Sequence, residues 1–142
     1  MTNNWVDSTG APVLVPPEGA VGFVYLITRT DTGRKYIGKK LLKFARTKVL
    51  KGKKKRFQID SDWLTYYGSN DTLQAEVKEL GEDLFKREIL HFCFSKSECN
   101  YMESKLILTM GALLSEDFYN RWVSMRITKT HVLSALKKNT FN

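Results

Sequence analysis

The clearest strand patterns in the chain are the segments Gly22-Phe-Val-Tyr-Leu-Ile-Thr28 and Arg34-Lys-Tyr-Ile-Gly38. The first is rich in β-branched and aromatic residues, a composition typical of a buried strand. The linker Thr30-Asp-Thr-Gly33 has the composition of a turn, and its glycine is free to adopt positive φ. We therefore predict a β-hairpin over residues 22–38, with one tyrosine on each strand.

Helical and strand patterns alternate after the hairpin. Polar capping residues precede a helix predicted over Thr72–Leu80, which Gly81 ends. A third strand is predicted over Leu84–Phe94 and a longer helix over Ser95–Leu114, with a final helix near Thr130–Lys138. These elements predict an α/β fold of the α+β kind, with a central three-stranded antiparallel sheet flanked by helices.

The chain is predicted to contain an arm and one domain. Residues 1–20 carry scattered glycine and proline and are expected to form an extended, loosely ordered arm. Residues 21–142 are expected to form a single domain with a short C-terminal extension over 121–142. Within it, Leu41–Ala45 suggests the first turns of a helix, followed by a basic loop over 46–57 whose like charges predict mobility. Asp60–Tyr67 has the pattern of a short capped helix.

Charge is segregated along the chain, which has 142 residues and a net charge of +8. Arg34–Arg56 contains twelve lysines and arginines and no acid, and residues 121–142 contain five basic residues and no acid. Such a field attracts polyanions and makes nucleic acid the expected partner, although a basic loop kept for solubility is the alternative. The candidate DNA-binding residues are Lys39, Lys40, Lys43, Lys51, Lys53, Lys54, Lys55 and Arg56.

The sequence predicts a soluble protein of the cytoplasm. The N-terminus has no basic segment followed by an apolar run, and no stretch approaches the roughly 18 apolar residues of a membrane span. Cys93 and Cys99 lack the neighbouring ligands of a zinc site and are expected to be free thiols of a reducing compartment.

The two tyrosine strands resemble the paired motif of the GIY-YIG endonuclease family. Gly22-Phe-Val-Tyr25 and Tyr36-Ile-Gly38 stand ten residues apart, and the second segment matches the motif letter for letter. The run Trp63-Leu-Thr-Tyr-Tyr-Gly-Ser69 is similar to the small stand-alone members found in tailed phages. The resemblance covers residues 22 to about 120, and for a phage-encoded protein it implies the cytoplasm of a bacterial host.

The resemblance implies a catalytic set of Tyr25, Tyr36, Arg46 and Glu103. The family places an arginine eight residues after the YIG glycine, which is Arg46 here, and Arg56 is a rival for that role. It also places a metal-binding glutamate on the helix after the third strand, where this chain has Glu103.

Two further positions are accessory candidates. The family has a later asparagine near its metal, which implies Asn120 here, although a turn residue is the alternative. Many members carry a histidine or tyrosine one helical turn after the arginine, where this chain has Leu50. Either that role is absent, or Tyr66 or Tyr67 supplies it, or the site is arranged differently.

Phosphodiester hydrolysis requires groups of these kinds. One Mg²⁺ or Mn²⁺ held by Glu103, with water and substrate phosphate completing its shell, would supply Lewis acidity. The guanidinium of Arg46 would stabilise developing phosphoryl charge. Tyr25 and Tyr36 would position or deprotonate the attacking water, although a phenol with a pKa of about 10 is a poor base.

We therefore expect a metal-dependent endonuclease that nicks or cuts DNA with low or partner-dependent sequence specificity. Two other functions stay open on the sequence alone. One is a non-catalytic DNA-binding module on the same fold, and the other is an unrelated basic RNA-binding protein. No RNA-recognition signature of aromatic strands is present, which disfavours the second.

Overall fold

The computed structural model describes residues 3–126, 128–130 and 133. The strands are β1 Trp5–Val6, β2 Gly22–Arg29, β3 Lys35–Leu41, β4 Lys43–Leu50, β5 Lys53–Asp60 and β6 Phe85–Cys93. The helices are α1 Asp71–Leu80 and α2 Lys96–Thr109, and single 3-10 turns cover Trp63–Thr65 and Glu82–Leu84. A four-stranded sheet has the order β1-β6-β2-β3, and β4 pairs with β5 in a second sheet.

The hairpin of β2 and β3 confirms the β-hairpin predicted over residues 22–38. Strands β2 and β3 are antiparallel, with Tyr25 opposite Gly38. Helix α1, strand β6 and helix α2 lie where the helical and strand patterns predict them. The side chain of Asn70 accepts the N–H of Leu73 at the start of α1, and the hydroxyl of Ser95 accepts the N–H of Glu98 at the start of α2. These caps satisfy donors that a helix start leaves unpaired.

The sheet has four strands, so the prediction of three is wrong by one. The additional strand, β1, lies parallel to β6, with Trp5 opposite Arg87. Trp5 is 1% exposed, and its indole N–H donates to the carbonyl of Trp63 at 2.6 Å. A strand of two residues has no alternation that a sequence pattern can show. The segment predicted as a loosely ordered arm therefore contributes a core side chain.

A second difference lies at residues 43–60, where the predicted helix start and mobile basic loop are a β-hairpin. Its tip residues Lys51 and Gly52 both have positive φ, 51° and 76°, as a type I′ turn requires. Apolar or β-branched residues recur along both strands, among them Val49 and Phe57, and they favour extended backbone over helix. We call this hairpin, β4–β5, the basic ribbon. The predicted helix over Asp60–Tyr67 is only the 3-10 turn.

The sheet has an apolar core on each face, because side chains of β2 alternate between them. Phe23, Tyr25 and Ile27 share a cluster with residues of α1. Val24 and Leu26 belong to the other cluster, with residues of α2. The sheet therefore separates α1 from α2, and any site that uses residues of both faces must lie at a sheet edge.

Most of the helix predicted near Thr130–Lys138 lies outside the described residues. Within the described ranges, every helix is too short or too polar to cross a membrane.

Candidate active site

The Tyr25 side chain lies against the α-carbon of Gly38, its partner across the β2–β3 pair. A β-carbon built on Gly38 would stand 2.5 Å from the ring carbon Cζ of Tyr25 and closer still to the hydroxyl. Gly38 is not among the positive-φ glycines, so its backbone would accept another residue. The glycine of the YIG motif is therefore required for space and not for backbone conformation.

The Tyr25 hydroxyl is buried, and no neighbour meets the geometry of a hydrogen bond with it in the described structure. Burial raises the pKa of Tyr25 well above its usual range, and the nearby Tyr66 side chain adds to this rise. A phenol in this state stays protonated near neutral pH and is a poor base. Buried polar groups are nearly always paired, and an unpaired one costs about 1–3 kcal/mol, so this hydroxyl is unusual.

Tyr36 lies beside Tyr25, with ring centroids 6.1 Å apart, and reaches the surface. Its hydroxyl and that of Ser69 are 3.1 Å apart. Gly68, with φ of 90°, brings the chain close to the Tyr36 ring, where a β-carbon would stand 3.3 Å away. Burial raises the pKa of Tyr36, and the hydrogen bond with Ser69 opposes this rise.

The free edge of β3, which pairs with no other described strand, leaves the main-chain groups of alternate residues pointing outward. Three of these residues, Lys35, Ile37 and Lys39, have partners elsewhere in the chain. Lys35 forms main-chain hydrogen bonds with Asp117 and Tyr119. The N–H of Ile37 donates to the side-chain oxygen of Asn120 at 3.0 Å, and the Asn120 amide donates back to the Ile37 carbonyl at 2.9 Å. Next along the strand comes Lys39, which faces Glu103 of α2.

Glu103 is 19% exposed, and its carboxylate lies 3.8 Å from the ammonium of Lys39. Burial raises the pKa of Glu103, while the charge and main-chain N–H of Lys39 oppose this rise. The ammonium of Lys39 also donates to the side chain of Asn100. The carboxylate is thus half-buried and pairs with the ammonium of Lys39.

A cleft of about 460 Å³ opens at this edge. Its polar wall brings together residues from β3, α2 and the segment after Asp117. They include Tyr36, Lys39, Glu103, Asn120, Arg121 and Arg126. Among the described residues, the cleft is therefore lined by one glutamate, two arginines, a lysine and a tyrosine.

Three of the candidate residues lie elsewhere. Tyr25 is fully buried beneath Tyr36 and does not line the cleft. Arg46 lies on the basic ribbon, where its guanidinium donates to the Ala45 carbonyl, and among the described contacts none joins it to Glu103. The hydroxyl of Tyr67 accepts a hydrogen bond from Asn3 in the core beside β6.

The other candidates divide between the cleft and the ribbon. Lys39 lines the cleft, and the ammonium of Lys40 pairs with Asp62 at 2.6 Å. Lys43 and the remaining basic candidates are exposed on the ribbon or at its tip, Lys51, Lys53, Lys54, Lys55 and Arg56.

Neither Arg121 nor Arg126 was predicted from the sequence as a site residue, and the pairing of Lys39 with Glu103 was not predicted either. The acid-free charge of residues 121–142 was the signal for the arginines. The ion pair of Lys39 with Glu103 had no signal in the sequence, because β3 and α2 meet only in the folded chain.

The donor set of the cleft fits a hard divalent cation. No group of three histidine, cysteine or acidic side chains that would enclose a metal occurs in the described part of the chain. Mg²⁺ does not require one, since it keeps several waters and takes one or two carboxylates together with substrate phosphate. Glu103 is the carboxylate of the cleft and would be the protein ligand.

Comparison with known proteins agrees with these motifs. A family model described as "Putative endonuclease segE, GIY-YIG domain" matches residues 5–123. The "Putative endonuclease segE" of Enterobacteria phage T4 is 29% identical over 121 residues, which cover 83% of this chain and 50% of the phage protein. This chain therefore spans about half the length of that relative. No solved structure matches this chain with comparable significance.

Two substitutions test the contact between β2 and β3. Tyr25→Phe removes only an unpaired hydroxyl, so we expect the free energy of unfolding to stay the same or to rise. Gly38→Ala forces a methyl group into the Tyr25 ring and should lower the free energy of unfolding by about 1–3 kcal/mol or more. Urea denaturation followed by circular dichroism measures both. A Gly38→Ala protein as stable as its parent would contradict the close contact.

Proposed function

Because the chain belongs to the segE-type GIY-YIG family, we propose that it is an endonuclease that hydrolyses DNA phosphodiester bonds in the cleft at the free edge of β3. The observation that carries this proposal is the position of Glu103, a half-buried carboxylate that pairs with Lys39 in a cleft that Arg121 and Arg126 also line. A surface that only binds DNA gains nothing from a carboxylate, which repels phosphate. A hydrolase needs one to hold its metal.

The proposed cofactor is Mg²⁺, or Mn²⁺, held by Glu103. When bound, the cation supplies Lewis acidity to the phosphoryl group. The Lys39 ammonium favours the charged form of the Glu103 carboxylate, the form that binds a cation. The paired hydrogen bonds of Asn120 fix the edge of β3 on which Lys39 lies.

The two tyrosines act as hydrogen-bond donors in this proposal. Both phenols have raised pKa values and keep their protons near neutral pH. The Tyr36 hydroxyl, at the cleft surface, positions the attacking water or a phosphate oxygen. Tyr25 lies beneath Tyr36 and does not line the cleft, so in this proposal its unpaired hydroxyl gains a hydrogen-bond partner only when substrate binding shifts Tyr36. Tyr25→Phe should therefore bind DNA and cut it at least about ten-fold more slowly, an effect of about 1.4 kcal/mol.

Arg121 is the proposed phosphoryl-stabilising cation. It lines the same cleft as Glu103, and a guanidinium meets two phosphate oxygens at once. Arg46, which the family spacing predicts for this role, lies on the ribbon and is proposed to contact the DNA backbone.

Glu103→Gln tests the metal-dependent reaction. We expect parent protein to cut plasmid DNA in Mg²⁺ and to stop in EDTA. Glu103→Gln should cut about a thousand-fold more slowly, because the metal supplies several kcal/mol of transition-state stabilisation. Salt-sensitive DNA binding should persist. Glu79→Gln, an exposed carboxylate on α1, is the matched control and should cut like the parent.

Two outcomes would change the assignment. Full cutting by both Glu103→Gln and Glu103→Ala would remove Glu103 from the site. A parent protein that binds DNA and cuts none in Mg²⁺ or Mn²⁺ would be a non-catalytic DNA-binding module on the same fold.

The two arginines make different kinetic predictions. Arg121→Ala should lower kcat by about 10²–10³-fold, the effect of removing one charge-stabilising donor. Arg46→Ala should leave kcat unchanged, raise KM, and reduce the slope of log binding constant against log salt by about 1. Single-turnover cleavage at several salt concentrations separates these effects. The opposite result would return the catalytic role to Arg46.

A further inference from the structure

The basic ribbon is exposed on both faces along its length. All sixteen of its strand residues except Phe44 are exposed. Its anchor is at the root, where the N–H of buried Leu42 donates to the Val21 carbonyl and the N–H of Ser61 donates to the Leu42 carbonyl, both at 2.9 Å. An isolated two-stranded hairpin is at best marginally stable in water. A ribbon built in this way needs a partner.

The strand register makes the ribbon electrostatically unfavourable on its own. Lys48 stands directly opposite Lys55, and Val49 and Leu50 stand opposite Lys54 and Lys53. No acidic residue lies between Phe44 and Ile59 to compensate. Like charges directly opposite each other destabilise a strand pair. A polyanion along the ribbon would remove this repulsion, so the charge pattern specifies the chemistry of the partner.

The dimensions of the ribbon fit the major groove of B-form DNA, and neither its minor groove nor the major groove of A-form RNA. Two strands of eight residues extend about 26 Å, with a strand spacing of about 4.8 Å. The major groove of B-form DNA is about 12 Å wide and admits a two-stranded β-ribbon, whereas the minor groove is about 6 Å wide. The major groove of A-form RNA is deep and narrow and excludes such an element.

We propose that the basic ribbon inserts into the major groove of B-form DNA next to the bond that is cut, an inference that rests on DNA being the substrate of the cleft. The side chains of Lys53, Lys54 and Lys55 alternate between the two faces of the ribbon and reach the phosphates on both sides of the groove. Lysine contacts to phosphate position a protein without reading sequence. The ribbon therefore holds the duplex with low sequence preference.

The connection to the cleft limits where the ribbon binds. Lys43, at the root, is four residues after Lys39, so the chain separates them by at most about 14 Å. Adding the length of the ribbon gives about 40 Å, slightly more than one helical turn of DNA of about 34–36 Å. The groove that the ribbon occupies thus begins within about one turn of the cleavage position.

Dimethyl sulfate footprinting distinguishes the grooves, because it methylates guanine N7 in the major groove and adenine N3 in the minor groove. Full-length protein is bound to a duplex of about 30 base pairs in EDTA, so that cutting does not interfere. We expect guanine N7 to be protected over roughly one turn and adenine N3 to stay reactive.

A shortened ribbon is the matched control. Replacing residues 46–57 by Asn-Gly keeps the Ala45–Gln58 pair and the root, and places a two-residue turn at the new tip. This variant should keep the melting temperature of the parent and lose the guanine protection. Triple substitution Lys53→Gln, Lys54→Gln and Lys55→Gln should flatten the salt slope of duplex DNA binding by roughly 2.7, and should weaken duplex RNA binding by a smaller factor.

Three results would overturn the proposal. They are protection of adenine N3 instead of guanine N7, unchanged guanine protection by the shortened ribbon, and equal loss of duplex RNA binding in the triple variant. If the parent protein protects guanine N7 yet never cuts DNA with Mg²⁺, the proposed nuclease activity fails and the groove contact stands. If it cuts DNA without guanine protection, the groove contact fails alone.

Discussion

The packing of the Tyr25 ring against the bare α-carbon of Gly38 is the contact on which the rest of the site depends. Because glycine leaves room for the ring, β3 can pair with β2 in the register that sets Tyr25 opposite Gly38. The same register turns Tyr36 toward the Tyr25 side of the sheet and Lys39 toward α2. Any larger residue at position 38 would displace the Tyr25 ring. That displacement would shift β3 and with it the side chains of Tyr36 and Lys39.

The site then forms at an edge that most sheets protect. An edge strand exposes unpaired main-chain groups and is usually covered or blocked. Here the edge of β3 is covered in steps, by main chain at Lys35, by the Asn120 amide at Ile37, and by Glu103 near Lys39. The edge also lies between the two faces of the sheet. That position lets a phenol from one face and a carboxylate from the other line the same cleft.

Local patterns were sufficient to predict the hairpin, α1, β6 and α2, since alternation, helical spacing and caps are properties of short segments. The same approach failed where the outcome depended on tertiary contacts. Trp5 belongs to a strand too short to show a period, and only its burial against Phe23 and Tyr25 reveals its role. The basic ribbon was predicted as a helix start followed by a mobile loop, because its lysines favour neither a strand nor a stable loop. The local signal for a hairpin was the Lys51-Gly52 turn, in which both residues have positive φ. The family resemblance indicated Glu103, whereas only the folded structure shows that Arg121 lines the same cleft.

Paramagnetic broadening of backbone amide signals by Mn²⁺ tests whether the cleft at the edge of β3 is a metal site built on Glu103. At substoichiometric Mn²⁺, the amide signals of Lys39, Glu103 and Asn120 should broaden first, and those of Lys48 and Lys54 on the ribbon should stay sharp. Glu103→Gln should remove the selective broadening, because carboxylate oxygen is the ligand that Mn²⁺ prefers in such a site. Selective broadening that persists in Glu103→Gln, or that is centred away from the cleft, would show that Glu103 does not hold the metal.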